Sequence, residues 1–151
     1  MKTGKDWIEN VSDTLKQMQD NIERDNDRIE TLKANLISTT AIQYDSDKVM
    51  SSCEGDKLAI YYATYFDLDK RLVQEYEKMA IFKAQSIQQL NKYVQNPTLA
   101  YCLERRHIQL KGNRDICRED NITDRALRKR FEKAYNLLNS IYVLEKYRRF
   151  S

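Results

Sequence analysis

The chain has 151 residues, with 26 Lys/Arg against 23 Asp/Glu, one His, three Gly, one Pro and three Cys. So little Gly and Pro, beside so much Lys, Glu, Gln, Leu and Arg, predicts a nearly all-helical chain with one domain, or one core and an extended appendage. The longest apolar run, Leu58 to Phe66, is about half of a membrane span and contains Thr64, and the N-terminus has no signal-peptide core, so the expectation is a cytoplasmic protein without membrane contact.

In chain order, the first pattern is a heptad seam. Ile8, Val11, Leu15, Met18, Ile22, Asp25, Ile29, Leu32 and Leu36 alternate in steps of three and four without a slip, interrupted by one polar residue, Asp25. Residues 38 to 55 read as a linker rich in Ser, Thr and Asp. Ser51 and Glu54 have the spacing of a capping box, so a second helix is predicted from there to Val94. Its seam is expected at Ala59, Tyr62, Phe66, Val73, Tyr76, Ala80, Ile87, Leu90 and Val94, with Leu58, Tyr65, Leu72 and Met79 widening the stripe.

Residues 1–95 are therefore expected to form a long helical hairpin for dimerisation or partner docking. Its helices pair either within one chain or between two. Polar residues within a seam often set oligomeric state, and a two-helix hairpin covers this much apolar surface poorly, so a homodimer through Ile8, Leu15, Ile22, Ile29 and Leu36 is the expectation. The cluster Tyr61, Tyr62, Tyr65 and Phe66 reads as core sooner than as a binding surface.

Residues 96–151 read differently. Asn96-Pro97 is a helix start, a cap residue followed by a proline with no N–H to satisfy. Leu99, Leu103 and Ile108 give that helix an apolar side, and Gly112-Asn113 breaks and restarts the chain, with Asn113 as the expected cap. A short second helix, Arg114 to Glu119, turns Ile116 and Cys117 inward. Asp120-Asn121-Ile122 is the turn, with Asn121 tolerating a left-handed backbone and Ile122 folding back on the core. Thr123 caps a third helix whose buried stripe is Leu127, Phe131, Ala134 and Leu138. Tyr142, Tyr147 and Arg148-Arg149-Phe150 extend it, to pack on the hairpin or to add phosphate contacts. The pattern is that of a helix-turn-helix. Charge follows it: residues 101 to 151 carry 13 Lys/Arg against 7 Asp/Glu, and residues 1 to 100 carry 13 against 16. A basic excess of this kind suits phosphate contact.

The segment Thr123-Asp124-Arg125-Ala126-Leu127-Arg128-Lys129-Arg130-Phe131-Glu132-Lys133-Ala134-Tyr135 resembles the recognition helix of the fourth region of sigma-70-type factors. Upstream, Asp47-Lys48-Val49-Met50-Ser51-Ser52, with Gly55-Asp56-Lys57, resembles the linker of small phage and prophage late-transcription regulators from Firmicutes, of the ArpU and RinA kind. The resemblance covers roughly residues 5 to 147. It differs from the family at Asn121, where glycine is usual, at Asp120, where an aliphatic is common, and at Asn113, in place of a tryptophan. It implies a DNA-binding transcription regulator in a bacterial host cell, with double-stranded DNA as partner and RNA polymerase or another host protein as a further one. The residues expected to bind DNA are Arg114, Thr123, Arg125, Arg128, Lys129 and Lys133, with Arg125, Arg128 and Lys129 at base edges or phosphates and the others on phosphates. The alternative is a phage-encoded inhibitor that binds host machinery (RNA polymerase or a defence complex) through a helix-turn-helix scaffold.

Nothing in the sequence points to catalysis. His107 stands in an Arg-rich helix with no nucleophile or carboxylate at a matching step and is expected at the surface or facing a phosphate. There is no glycine-rich phosphate loop, and Cys53, Cys102 and Cys117 lack metal spacing, so neither metal nor cofactor is expected.

Overall fold

The computed structural model describes residues 3–44 and 52–148, and every element among them is helical. The order is α1 (Gly4–Tyr44), α2 (Ser52–Tyr93), α3 (Pro97–Leu103, running on as a π-helical turn over Glu104–Ile108), α4 (Asn113–Asp120) and α5 (Asp124–Arg148). The all-α class, the helical hairpin and the extended last helix are as the periodicity predicts. No helix among the described residues is long and apolar enough to cross a membrane.

Two expectations about the hairpin are corrected. The linker expected over residues 38 to 55 is shorter, because α1 continues to Tyr44 and α2 begins at Ser52. Ser and Thr cost a helix only tenths of a kcal/mol each, about 0.5, and no Pro or Gly stands between Gly4 and Gly55 to stop it. The Ser51 cap and the linker motif from Asp47 to Ser51 lie outside the described residues. Secondly, the chain does not divide at residue 95. One compact unit combines Met1–Gln17 with Ala80–Ser151, and the other is Met18–Met79. Both long helices thus contribute to both units.

The residues expected to join two chains pack within one chain in this structure. Ile8 and Leu15 are core of the first unit, Ile22 and Ile29 are buried in the second, and Leu36 is half-buried.

In the Met18–Met79 unit, α1 presents the stripe read from the sequence: Ile22, Asp25 and Ile29 are buried and Met18, Leu32 and Leu36 half-buried. On α2 the side turned inward is the widening half of the expected stripe, not its first-named line. Leu58, Tyr61, Tyr65, Leu68, Leu72, Glu75 and Met79 are the half-buried positions, whereas Ala59, Tyr62, Phe66, Val73 and Tyr76 are exposed. Two adjacent apolar stripes run along α2, and the polar residues choose between them. Arg71 reaches Asp25 with Nε–Oδ2 at 2.8 Å and Nη2–Oδ1 at 2.6 Å. Asn26 donates to Tyr76 Oη at 3.4 Å, and Lys33 lies 5.9 Å from the Tyr65 ring centroid.

In the other unit, α1 starts with a reciprocal cap: Thr3 N donates to Asp6 Oδ2 at 2.9 Å and Asp6 N to Thr3 Oγ1 at 3.1 Å. The first turn then meets α5 closely. A Cβ added at Gly4 would stand 2.6 Å from the Leu138 carbonyl oxygen, so only glycine permits this approach. Lys5 N donates to Asn139 Oδ1 at 2.9 Å beside it. Trp7, Tyr93 and Tyr142 stack edge to face, at 5.4 and 6.1 Å between centroids, and tie α1, α2 and α5 together. Tyr142 therefore packs on the hairpin's ends, the first of the two options the sequence offers for it. Tyr147's side chain and residues 149 to 151 lie outside the description.

Candidate nucleic-acid interface

The helix-turn-helix is built from α3, α4 and α5, and its caps are legible locally. Asn96 Oδ1 accepts from the amides of Thr98 and Leu99 at 3.1 and 3.2 Å, with Pro97 opening the helix. Gly112, with an extended backbone, is the residue before α4, so Asn113 is the helix's first residue and not its cap. Asn121 takes φ 52° and ψ 48°, and Ile122 N donates back to the Cys117 carbonyl at 3.0 Å. This is the left-handed turn the sequence calls for, with asparagine carrying out the role of glycine. Thr123 Oγ1 then accepts from Ala126 N at 3.2 Å and starts α5.

The small core between these helices is Cys102, Ile116 and Leu127, all fully buried, with Cys117, Ile122 and Phe131 packed against it. Leu127, Ala134 and Leu138 are fully buried along α5, so its inward face is settled. Burial pushes the Cys102 thiol up, which keeps it protonated and inert.

A π-helical turn supplies what the sequence did not announce. Over Glu104–Ile108 the helix widens, and Arg105, His107 and Ile108 are all buried. Regular α spacing does not turn positions i, i+2 and i+3 inward together over one turn; a widened turn does. The segment ends at Leu110, which takes φ 56°.

His107 is thereby a correction. Expected at the surface or on a phosphate, it is buried, and its Nε2 shares a 2.6 Å hydrogen bond with Tyr135 Oη. Burial first, then the nearby Arg106 charge, lowers its pKa to about 4, while burial pushes Tyr135 up to about 12. It is a neutral internal strut between the π turn and α5.

Arg105 is the second unannounced residue. Its Nη1 and Nη2 lie 2.7 and 2.6 Å from the two Asp120 carboxylate oxygens, and the Tyr101 ring centroid is 4.4 Å from the guanidinium carbon. Arg130 adds a 3.0 Å contact to Asp120 Oδ2. These bonds hold the Asp120 carboxyl well below the usual range, the Arg105 hydrogen bonds being the main cause. Asp120 is thus the acceptor that fixes the end of α4 to the π turn and to α5. Lys111 Nζ, 2.6 Å from Glu119 Oε1, lowers Glu119 likewise.

The expected DNA-contacting residues remain outside this framework. Arg114, Thr123, Arg125, Arg128, Lys129 and Lys133 are all exposed. On α5 the steps 125, 128, 129, 133 trace one helical face, opposite the Leu127–Ala134–Leu138 stripe. Arg128 pairs with Asp124 at 2.9 Å, both well exposed; the other three α5 cations and Arg114 have no ion pair among the described residues. Arg130, one residue on, is instead half-buried and committed to Asp120. The cleft beside His107, of about 340 Å³, is lined by Glu9 and Asp13 as well as Lys16, Arg106 and Lys111, and this mixture favours no ligand charge. Comparison with known proteins adds no relative: no family model, no curated protein and no solved structure matches the chain.

Proposed function

We propose that this chain is a phage-type transcription regulator that binds duplex DNA through α5. The observation that carries the reading is the cationic face of α5 immediately after the left-handed turn at Asn121: Arg125, Arg128, Lys129 and Lys133 point to solvent while the opposite face is fixed in the core. A helix presented in this way enters the major groove with its first turns at base edges. Arg125 and Arg128 offer the planar fork that matches guanine, and Lys129 completes the contact with bases or phosphates. Thr123, Lys133 and Arg114 fit phosphates, fixing orientation without reading sequence. The Arg128–Asp124 pair is no obstacle, since an exposed pair of this kind is worth about 0–1 kcal/mol and exchanges readily for a base.

Selection from a random duplex library at low and near-physiological salt tests the reading. An enriched motif that survives the higher salt is expected. On that motif Arg128→Ala weakens binding by about 1–3 kcal/mol and leaves the fold unchanged. Binding without sequence preference, or binding that vanishes as salt rises, defeats it. The basic face would then belong to the alternative, an acidic surface on a host protein.

A further inference from the structure

The two outer faces of the Met18–Met79 unit differ in kind. On α1 the solvent side is Gln19, Asp20, Glu23, Asp27 and Glu30, an ordinary solvated face. On α2 charged residues such as Asp67, Lys70 and Glu77 share the solvent side with one stripe of large apolar residues: Tyr62 is 51% exposed, Phe66 64%, Val73 53% and Tyr76 46%. These four leave on the order of 400 Å² in water. That is within the range of a monomer's largest patch, which is often functional, and about half of the roughly 800 Å² per partner of a standard interface. The rings are also held in place. Phe66 is braced edge-on by Tyr65 at 5.6 Å, and Asn26 holds the Tyr76 hydroxyl.

The spacing says what kind of object fits. Ala59, Tyr62, Phe66, Asp69, Val73 and Tyr76 alternate in steps of three and four, so the face is a second coiled-coil seam on α2, beside the one that α1 covers. A seam of this period accepts a helix. A second α2 satisfies both copies with one isologous contact. Orientation follows from charge and size. Parallel pairing in register sets Asp69 against Asp69 in the middle of the seam. Antiparallel pairing about a two-fold between Asp67 and Leu68 sets Ala59 opposite Tyr76, Tyr62 opposite Val73 and Phe66 opposite Asp69, which takes the two Asp69 carboxylates out of direct opposition and leaves them at the polar layer of the seam. It also sets Lys70 beside Asp67 of the other copy, twice over, on the flank away from α1. Both are exposed, and neither is in an ion pair among the described residues.

We infer that α2 is a self-association surface, pairing antiparallel with α2 of a second copy of this chain through Ala59, Tyr62, Phe66, Val73 and Tyr76. This inference is independent of the DNA reading.

Sedimentation equilibrium of the full chain over a concentration series tests it. The wild type sediments as a dimer. Phe66→Glu, at a position already open to solvent, keeps the helical circular dichroism and weakens dimerisation by at least about 100-fold, since both copies lose a central anchor. Lys70→Asp weakens it about tenfold, and the reciprocal swap Lys70→Asp with Asp67→Lys restores it. A wild type that stays monomeric, or a dimer that survives Phe66→Glu, overturns the surface. A swap that fails to restore association overturns the antiparallel register.

Discussion

Each of the two units has an Arg–Asp pair at its centre, and the two pairs are built in opposite senses. In the helix-turn-helix unit it is the cation that is enclosed: the Arg105 side chain is 3% exposed and Asp120 22%. In the Met18–Met79 unit it is the anion: Asp25 is 5% exposed and Arg71 49%. The difference has consequences because the two buried groups escape differently. A guanidinium stays charged at any pH a protein meets, so Arg105 depends on Asp120 without relief. A carboxylate that loses its partner takes up a proton, so Asp25 has an exit. The first pair is a rigid brace for the proposed reading helix, and the second marks register in a seam that is only half-buried on the α2 side.

The hardest way to break the comparison is Asp120→Ala. It strands a buried cation and should cost about 3–5 kcal/mol. Hydrogen exchange followed by mass spectrometry should show protection lost over residues 97 to 138 first. A loss under about 1 kcal/mol would mean that Glu119, 3.4 Å from Arg105, replaces Asp120 unaided.

Next in size is a pH effect confined to the same unit. The folded pKa of His107 is lowered from 6.5 to about 4, so the folded state resists protonation that the unfolded chain accepts. The stabilisation is complete above about pH 6.5 and is lost as pH falls toward 4, by on the order of 2–3 kcal/mol. Denaturation midpoints between pH 7 and 4 measure it. His107→Gln should flatten that slope, and an unchanged slope would place the titration elsewhere.

Arg71→Ala should cost less than either, because Arg71 is half in water and its pair is screened. Its cost should also depend on pH in the other unit's way. Hydrogen bonds from Arg71 lower the Asp25 pKa, so the pair stabilises above the ordinary carboxylate range and its contribution disappears as acid protonates Asp25. Wild type and variant should therefore converge in acid, and a gap that persists there would rule out this account.

The smallest effect has the opposite sign. Glu75 Oε2 is buried with no hydrogen-bond partner, and burial, then the Asp25 charge, raises its pKa. That raised carboxyl favours the fold in acid and opposes it as pH rises through its folded value. Glu75→Gln should stabilise the hairpin by about 0.5–1 kcal/mol at neutral pH and by nothing in acid, read as a shift in the thermal midpoint.

Much of this architecture is legible in the sequence wherever the cause is local. The Asn96 and Thr123 caps and the left-handed Asn121 follow from side-chain oxygens and backbone sterics within four residues. The α1 stripe from Ile8 to Leu36 emerges intact because its apolar residues lie on one line. The six candidate DNA-contacting residues were legible as a solvent-facing set for the same reason. On α2 the pattern is ambiguous: two neighbouring stripes are both apolar, and periodicity ranks them equally. His107 and Arg105 were not legible because α-helical spacing was assumed across a turn that is wider.

By itself, the sequence determined that the chain is helical, where α3 and α5 begin, and which side of α1 and of α5 turns inward. These depend on propensity, caps and amphipathic period, which act over one or two turns. Only the tertiary structure decided which stripe of α2 meets α1, that Asp120 is an anchor, that His107 is an internal strut, and that the ends of the hairpin join the C-terminal core. Each of these turns on whether a charge or a ring finds a partner far along the chain, as Asp25 finds Arg71 and Trp7 finds Tyr93. A buried polar group takes its place from the partner that satisfies it, and the identity of that partner is settled by packing.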